Sequence, residues 1–171
     1  NANGNLGNNT TTNISYLTQI GTSSWTQVST GSHSMAIRSD GALFTWGLNT
    51  NGQLGQNDVT ARSTPTQVGV YSWNAIGCGT SFTTAVRSDG ALFTWGINTN
   101  GQLGQGNTND IYIASPVQVG TLNTWYQVSC GLNYITAIKN DGTLWAWGMN
   151  NKGQLADGTR TDKSSPTQIG S

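Results

Sequence analysis

The sequence predicts an all-β protein built from repeated units of four antiparallel strands, and three observations support this prediction. The nine residues from Ser39 to Gly47 recur unchanged from Ser88 to Gly96 and return with substitutions from Asn140 to Gly148. An Asn-Gly-Gln-Leu-like segment and then a Pro-x-Gln-Val/Ile-Gly segment follow each copy. No segment of useful length has the period of an amphipathic helix. A unit of about fifty residues with four short strands is typical of a β-propeller blade.

The strands of each unit are separated by residues that favour turns. Asp-Gly pairs at 40–41, 89–90 and 141–142 lie between apolar runs such as Met35–Ile37 and Leu43–Phe44. Asp-Gly can supply the two positive φ angles of a type I′ turn, so each pair predicts a β-hairpin. The Pro of the later segment fits the start of a strand, because proline cannot donate to a sheet ladder.

The whole chain, 1–171, is predicted to be a single propeller segment. The landmarks divide it into about three and a half repeats. They run at approximately 1–48, 49–97 and 98–149, with a partial repeat at 150–171.

The composition opposes a nucleic-acid-binding surface and a membrane helix. Seven basic and seven acidic side chains give a formal net charge of zero, and only 8% of the residues are charged. A surface of Asn, Thr, Ser and Gln offers no basic field for nucleic acid or anionic lipid. No apolar run approaches the roughly 18 residues of a membrane helix. We therefore expect no nucleic-acid partner and no membrane insertion.

Taken in order, the landmarks of one unit resemble the RCC1 repeat. They are Val-Ser-Cys-Gly, an aromatic residue or His, Ala-Ile/Val, Asp-Gly, Leu-x-x-Trp-Gly, Asn-Gly-Gln-Leu-Gly and Pro-x-Gln-Val, and the resemblance covers essentially the whole chain. Members of the RCC1 family form seven-bladed propellers and are mostly binding proteins. They include a guanine-nucleotide exchange factor for a small GTPase and a secreted inhibitor of β-lactamases. The resemblance implies that this chain is part of a seven-bladed ring.

Two copies of the chain would supply about seven repeats, but the register opposes their joining into one ring. Ser171 ends at the repeat position of Thr22, and Asn1 stands at the position of Asn49. Head-to-tail joining would therefore omit about 27 residues of the repeat. We expect a longer chain or a larger assembly.

The residues that could serve in catalysis or metal binding are explained better as structural parts of the blades. His33 is the only His, and its repeat position holds Phe82 and Tyr134 in the other units, which favours a packing or rim role. Cys78 and Cys130 share another repeat position. A disulfide or a metal pair is the alternative to two reduced core thiols, but thiols without His or acidic neighbours make a poor metal site. One Asp in each turn is too few ligands for Ca²⁺. We expect no metal and no cofactor.

Specificity is expected where the units differ, because the constant positions build the blade. One such place is the turn between the first two strands, which changes in length and in its side chains. The other is a loop from Asp110 to Ala114, with two extra residues, whose apolar side chains either form a contact surface or fold over a neighbouring blade. The candidate partner-binding residues are His33, Phe82, Tyr134, Ile111, Tyr112 and Ile113.

These observations predict a non-enzymatic structural or binding module, a protein-interaction propeller on an extracellular or virion surface, whose partner is another protein or a neighbouring subunit. The weakly charged surface on rigid repeats motivates this prediction. The alternative is a soluble regulator or inhibitor of one protein partner, as in the exchange-factor and inhibitor branches of the family. No insertion resembles the exchange factor's GTPase-contacting wedge, so we do not expect nucleotide exchange.

Overall fold

A computed structural model describes residues 1–109 and 111–170, and every regular element in that part of the chain is a β-strand. The strands are β1 (Trp25–Thr30), β2 (His33–Arg38), β3 (Ala42–Gly47), β4 (Arg62–Cys78), β5 (Phe82–Arg87), β6 (Leu92–Ile97), β7 (Tyr112–Gln118), β8 (Trp125–Cys130), β9 (Tyr134–Lys139), β10 (Leu144–Gly148) and β11 (Lys163–Ile169).

The strands form three blades of four antiparallel strands, which confirms the predicted fold. Blade 1 contains β1, β2, β3 and the first part of β4, and blade 3 contains β8 to β11. The second part of β4, from Trp73 onward, pairs with β5 and so begins blade 2, which continues through β6 and β7. A bulge follows the Trp that opens each blade, between Trp25 and Gln27 in blade 1.

The hairpin turns at Asp-Gly differ from the predicted type I′ turns. At the first of them only the glycine has a positive φ, 88° at Gly41. The N–H of Gly41 donates to the carbonyl oxygen of Arg38 at 2.8 Å, as in a type I turn followed by a left-handed glycine. The carboxylate of Asp40 accepts from the N–H of Ala42 at 3.1 Å. Asp is favoured before the glycine because its side chain accepts this bond from the residue two positions later, and the Asp itself needs no positive φ to do so.

The hydrophobic core lies between the blades. Leu43 of blade 1 belongs to the same buried cluster as Trp73 and Ile76 of blade 2. A second cluster joins blades 2 and 3 in the same way, with Leu92 beside Trp125 and Val128. Burial between consecutive blades is therefore the main stabilising contribution to the array.

The outer faces of the first and last blades expose positions that are buried between blades. Val28 is 69% exposed, whereas Ile76 at the same position in blade 2 is 9% exposed. Leu144 is 42% exposed, whereas Leu92 at the same position is fully buried.

Each blade is also tied to the preceding Gln-Leu-Gly segment through an indole. Trp95 Nε1 donates to the carbonyl oxygen of Gln53 at 2.9 Å, and Trp147 Nε1 donates to that of Gln102 at 3.1 Å. Trp46 makes the same bond to Asn5 at 2.9 Å. Residues 1–24 contain no strand, yet they supply this contact to blade 1.

Candidate functional site

The turns that join the first two strands of the three blades converge on one concave surface, which we call the axial surface. Its cavity has a volume of about 620 Å³, which is within the range of ligand sites. It is lined by Thr30, Gly31, Ser32, Cys78, Gly79, Thr80, Cys130, Gly131, Leu132 and Tyr134. These are the turns whose variation between the repeats predicted a site of specificity, and the structure brings them together.

His33 does not reach the axial surface, because its side chain is fully buried. Its Nε2 lies 2.7 Å from Thr83 Oγ1, which belongs to the next blade. The Thr83 hydroxyl donates to the carbonyl oxygen of Gln53 at 2.7 Å. Since a hydroxyl has one proton to donate, Thr83 must accept from His33. His33 is therefore protonated on Nε2 and links blade 1 to blade 2.

The remaining ring nitrogen of His33 explains its acid–base behaviour. Nδ1 is buried and has no hydrogen-bond partner among the described residues. Burial lowers the pKa of His33 from 6.5 to about 4, because nothing compensates the loss of hydration of the charged ring. The ring is thus a neutral structural group at physiological pH.

Phe82 and Tyr134 pack their rings against a glycine of the same turn. A Cβ atom on Gly79 would lie 1.9 Å from the Phe82 ring, and one on Gly131 would lie 2.0 Å from the Tyr134 ring. Phe82 is fully buried, whereas Tyr134 is half-buried and lines the axial cavity. Of the three predicted turn residues, only Tyr134 lines the axial cavity, and partner binding by all three stays a prediction.

Leu132 is an exposed apolar residue of the axial surface that is not among the residues predicted from the sequence. Its side chain is 75% exposed beside Tyr134. Thr80 occupies the corresponding place in the turn of blade 2. The sequence feature that could have identified Leu132 is that it is an apolar residue at a turn position that is polar in blade 2.

The predicted loop at 110–114 is largely a strand. Tyr112 and Ile113 begin β7, where they pair with Ile97 and Gly96, so only Ile111 precedes the strand among the described residues. Asp110 lies outside the described residues. Ile111 is 67% exposed, whereas Ile113 is partly buried against the core between blades 2 and 3. The structure thus combines the two alternatives, an exposed end and a covered one, and partner binding at these residues stays a prediction.

Both cysteines are free thiols. Burial raises the pKa of Cys78 to about 12 and raises that of Cys130 well above its ordinary value. The N–H of Cys78 donates to Ser29 Oγ at 3.0 Å, which links the first strands of blades 1 and 2. In the part of the chain that the structure describes, no three His, Cys or Asp side chains are grouped as metal ligands.

The fold and this surface define a β-propeller segment whose candidate site is a contact surface. Family models of the "Regulator of chromosome condensation (RCC1) repeat" match residues 40–86, 89–138 and 141–171, and a second such model matches 25–53 and 125–154. The chain belongs to the RCC1 repeat family, which confirms the resemblance seen in the sequence.

Solved structures share this fold. Human WBSCR16 is 27% identical, with a TM-score of 0.87, over 99% of this chain and 46% of that one. Prp20p of Saccharomyces cerevisiae, whose binding to Gsp1p and histones is described, is 21% identical, with a TM-score of 0.78, over 86% of this chain and 38% of that one.

Among curated proteins, the serine/threonine-protein kinase Nek8 of Danio rerio is 30% identical over 95 residues. The match covers 56% of this chain and 14% of the kinase. The chain therefore spans less than half the length of each relative named here. Within the described residues, no helix has the length and hydropathy needed to cross a bilayer.

Proposed function

We propose that the chain is a non-enzymatic protein-interaction module that contacts its partner through the axial surface. The observation that carries this proposal is the exposed Leu132 beside Tyr134 in a concave surface formed by three blades. An exposed apolar side chain next to an aromatic one, set on rigid strands, is the arrangement that dominates binding energy at protein interfaces. The array holds these groups in place, so binding requires little ordering of the module.

The His and Cys side chains, all within the described residues, do not support a catalytic role. The neutral ring of His33 is buried, and its bonded nitrogen is committed to Thr83. Burial also keeps both thiols protonated, which removes the thiolate that nucleophilic catalysis needs. The proposal therefore treats the module as a binding protein.

For its location we propose an extracellular or virion surface, as part of a structural protein. The proposal rests on the low content of charged residues and on the Asn-, Thr- and Ser-rich surface. Immunoblotting of virions, cell-surface material and cytosol from the source with an antibody to the chain tests it. Confinement to cytosol would overturn this part of the proposal and leave the binding role standing.

The second candidate is a soluble regulator of one protein partner. It is favoured by the relative Prp20p, whose binding to Gsp1p and histones is described. A single partner recovered at equal stoichiometry from cytosol supports the regulator, whereas recovery of neighbouring structural subunits supports the first proposal.

The test places a photo-crosslinking residue at Ser32 on the rim of the axial cavity and recovers the partner from an extract of the source. Leu132→Ser is then compared with Val70→Ser, because Val70 is also a highly exposed apolar residue and lies outside that cavity. We expect Leu132→Ser to reduce recovery about tenfold or more, as for a central contact residue. Equal recovery with both variants would overturn the use of this surface.

A further inference from the structure

A second cavity lies on the outside of the array, between blades 2 and 3, and we call it the outer groove. Its volume is about 600 Å³, which is within the range of ligand sites. The side chains that matter here are Gln105, Gln118, Leu122, Trp125, Lys139 and Trp145. None of them belongs to the axial surface.

Lys139 is a largely buried residue that lines this groove. Its side chain is 8% exposed, and Nζ lies 3.6 Å from the centroid of the Trp145 ring and 4.9 Å from that of Trp125. Among the residues that the structure describes, no carboxylate forms an ion pair with Nζ and no oxygen accepts a hydrogen bond from it. Two indole faces hold the ammonium, but its donors lack an acceptor.

The other two blades complete the same position differently. Arg38 and Arg87 occupy it, and each forms an ion pair at 2.7 Å with the Asp of its own turn. In blade 3 the turn carboxylate of Asp141 accepts instead from the hydroxyl of Thr143 at 2.6 Å. The bonds from Thr143 are the main reason that the pKa of Asp141 is lowered, and the charge of Lys139, which does not pair with Asp141, adds a smaller effect. Blade 3 is thus the one described blade in which this cation has no protein anion.

The equivalent place between blades 1 and 2 is filled by a side chain. The ring of Tyr71 lies 6.5 Å from that of Trp73, and Arg87 stacks over it at 5.0 Å. Two residues after the corresponding glycine, the outer groove has Leu122 instead, which lines the cavity and is as exposed as Tyr71, 54% in both cases. The outer groove therefore lacks the aromatic ring that stacks on the equivalent cation between blades 1 and 2.

Main-chain donors are also free along one wall. The N–H groups of Gly120, Thr121 and Leu122 donate to no described residue. An extended peptide offers carbonyl oxygens at a spacing that such a wall can meet.

We propose that the outer groove binds an extended peptide segment of a protein partner that places a carboxylate on Lys139 and an apolar side chain against Leu122 and Trp145. The carboxylate supplies the anion that blades 1 and 2 provide internally. The inference rests on the proposed function, since it gives that module a second contact site and states the chemistry of its ligand.

The test uses the whole chain and an array of peptides of about eight residues, each with a central Glu and varied neighbours, beside the same array with Gln. Binding is read from tryptophan fluorescence and from peptide anisotropy. We expect Glu peptides with an apolar neighbour to bind at least tenfold more tightly than their Gln partners. We also expect Lys139→Met to abolish this preference and Lys139→Arg to keep it.

Lys152→Met is the matched control, because Lys152 lies on an exposed turn of the same blade. It should leave the preference unchanged, and thermal unfolding should show that each variant is folded. No preference for Glu in any pair, or a preference that survives Lys139→Met, overturns the proposal. Binding of an acidic oligosaccharide such as oligogalacturonate without binding of the Glu peptides also overturns it. The Leu132 test is independent, so failure here leaves the axial surface untouched.

Discussion

The buried His33 makes the stability of this chain depend on pH between about 4 and 6.5. His33 is the only His, and all seven acidic residues are Asp. Its pKa is lowered to about 4 in the folded chain, from 6.5. The unfolded chain therefore binds more protons between these two pH values. Stability is complete above pH 6.5 and is lost as the pH falls toward 4.

The magnitude follows from the two pKa values. A difference of about 2.5 pH units corresponds to about 3 kcal/mol of unfolding free energy, of which about 2 kcal/mol is lost between about pH 7 and pH 5. This is a large share of the roughly 5–15 kcal/mol that stabilises a typical domain. The carboxylates act at lower pH, since the pKa of Asp40 is lowered from 3.8 to about 2 by its bond to Arg38, and its contribution is lost only below its ordinary value.

Urea unfolding followed by tryptophan fluorescence measures this loss in the parent chain and in His33→Phe. Phenylalanine is the residue at this position in blade 2, and the Thr83 hydroxyl keeps its bond to Gln53 in the variant. We expect the free energy of unfolding of His33→Phe to change by less than about 0.5 kcal/mol between about pH 7 and pH 5. Equal pH dependence in the two proteins would refute the assignment of a neutral buried imidazole.

Three further predictions test the construction of the blades. Gly55→Ala should lower the free energy of unfolding in urea by about 3 kcal/mol, and Gly120→Ala should lower it by about 1 kcal/mol. Both glycines have a positive φ, but only a Cβ on Gly55 would meet an indole, that of Trp95 at 2.8 Å. Equal losses in the two variants would contradict the indole contact. Ala156→Gly should stabilise the chain by about 1 kcal/mol, because Ala156 has a φ of 55°, and a loss of stability would contradict this. Cys78 and Cys130 should react with a thiol reagent at least about a hundredfold faster in urea than in the folded chain; comparable rates would show that the thiols are accessible.

The blade architecture was predictable because its determinants are local and repeated. Gly47, with a φ of 101°, stands after the Trp of blade 1, and Gly96 and Gly148 repeat this angle within a degree. A Cβ on Gly96 would lie 2.5 Å from the Phe82 Cα, so the Trp-Gly pair records a close approach of two strands of one blade. Such short-range requirements leave a mark in every copy of the repeat.

The candidate site was less predictable because its side chains depend on contacts between blades. The burial of His33 follows from Thr83, which lies 50 residues further along the chain. At the next interface Phe82 and Ile135 take these two positions, and both are fully buried. The variation that suggested a binding turn therefore records two ways of joining blades, one polar and one apolar. Leu132 is exposed because no side chain of the described blades covers that point of the axial surface.

Comparison of the blades with one another separates construction from function once the contacts are known. Where His33 and Thr83 at one blade interface are replaced by Phe82 and Ile135 at the next, the two substitutions compensate each other and preserve packing. The change at Lys139 is of another kind, since the carboxylate of the turn binds Thr143 and no described group takes its place. The peptide carboxylate proposed for the outer groove supplies at Lys139 the anion that Asp40 and Asp89 supply in blades 1 and 2.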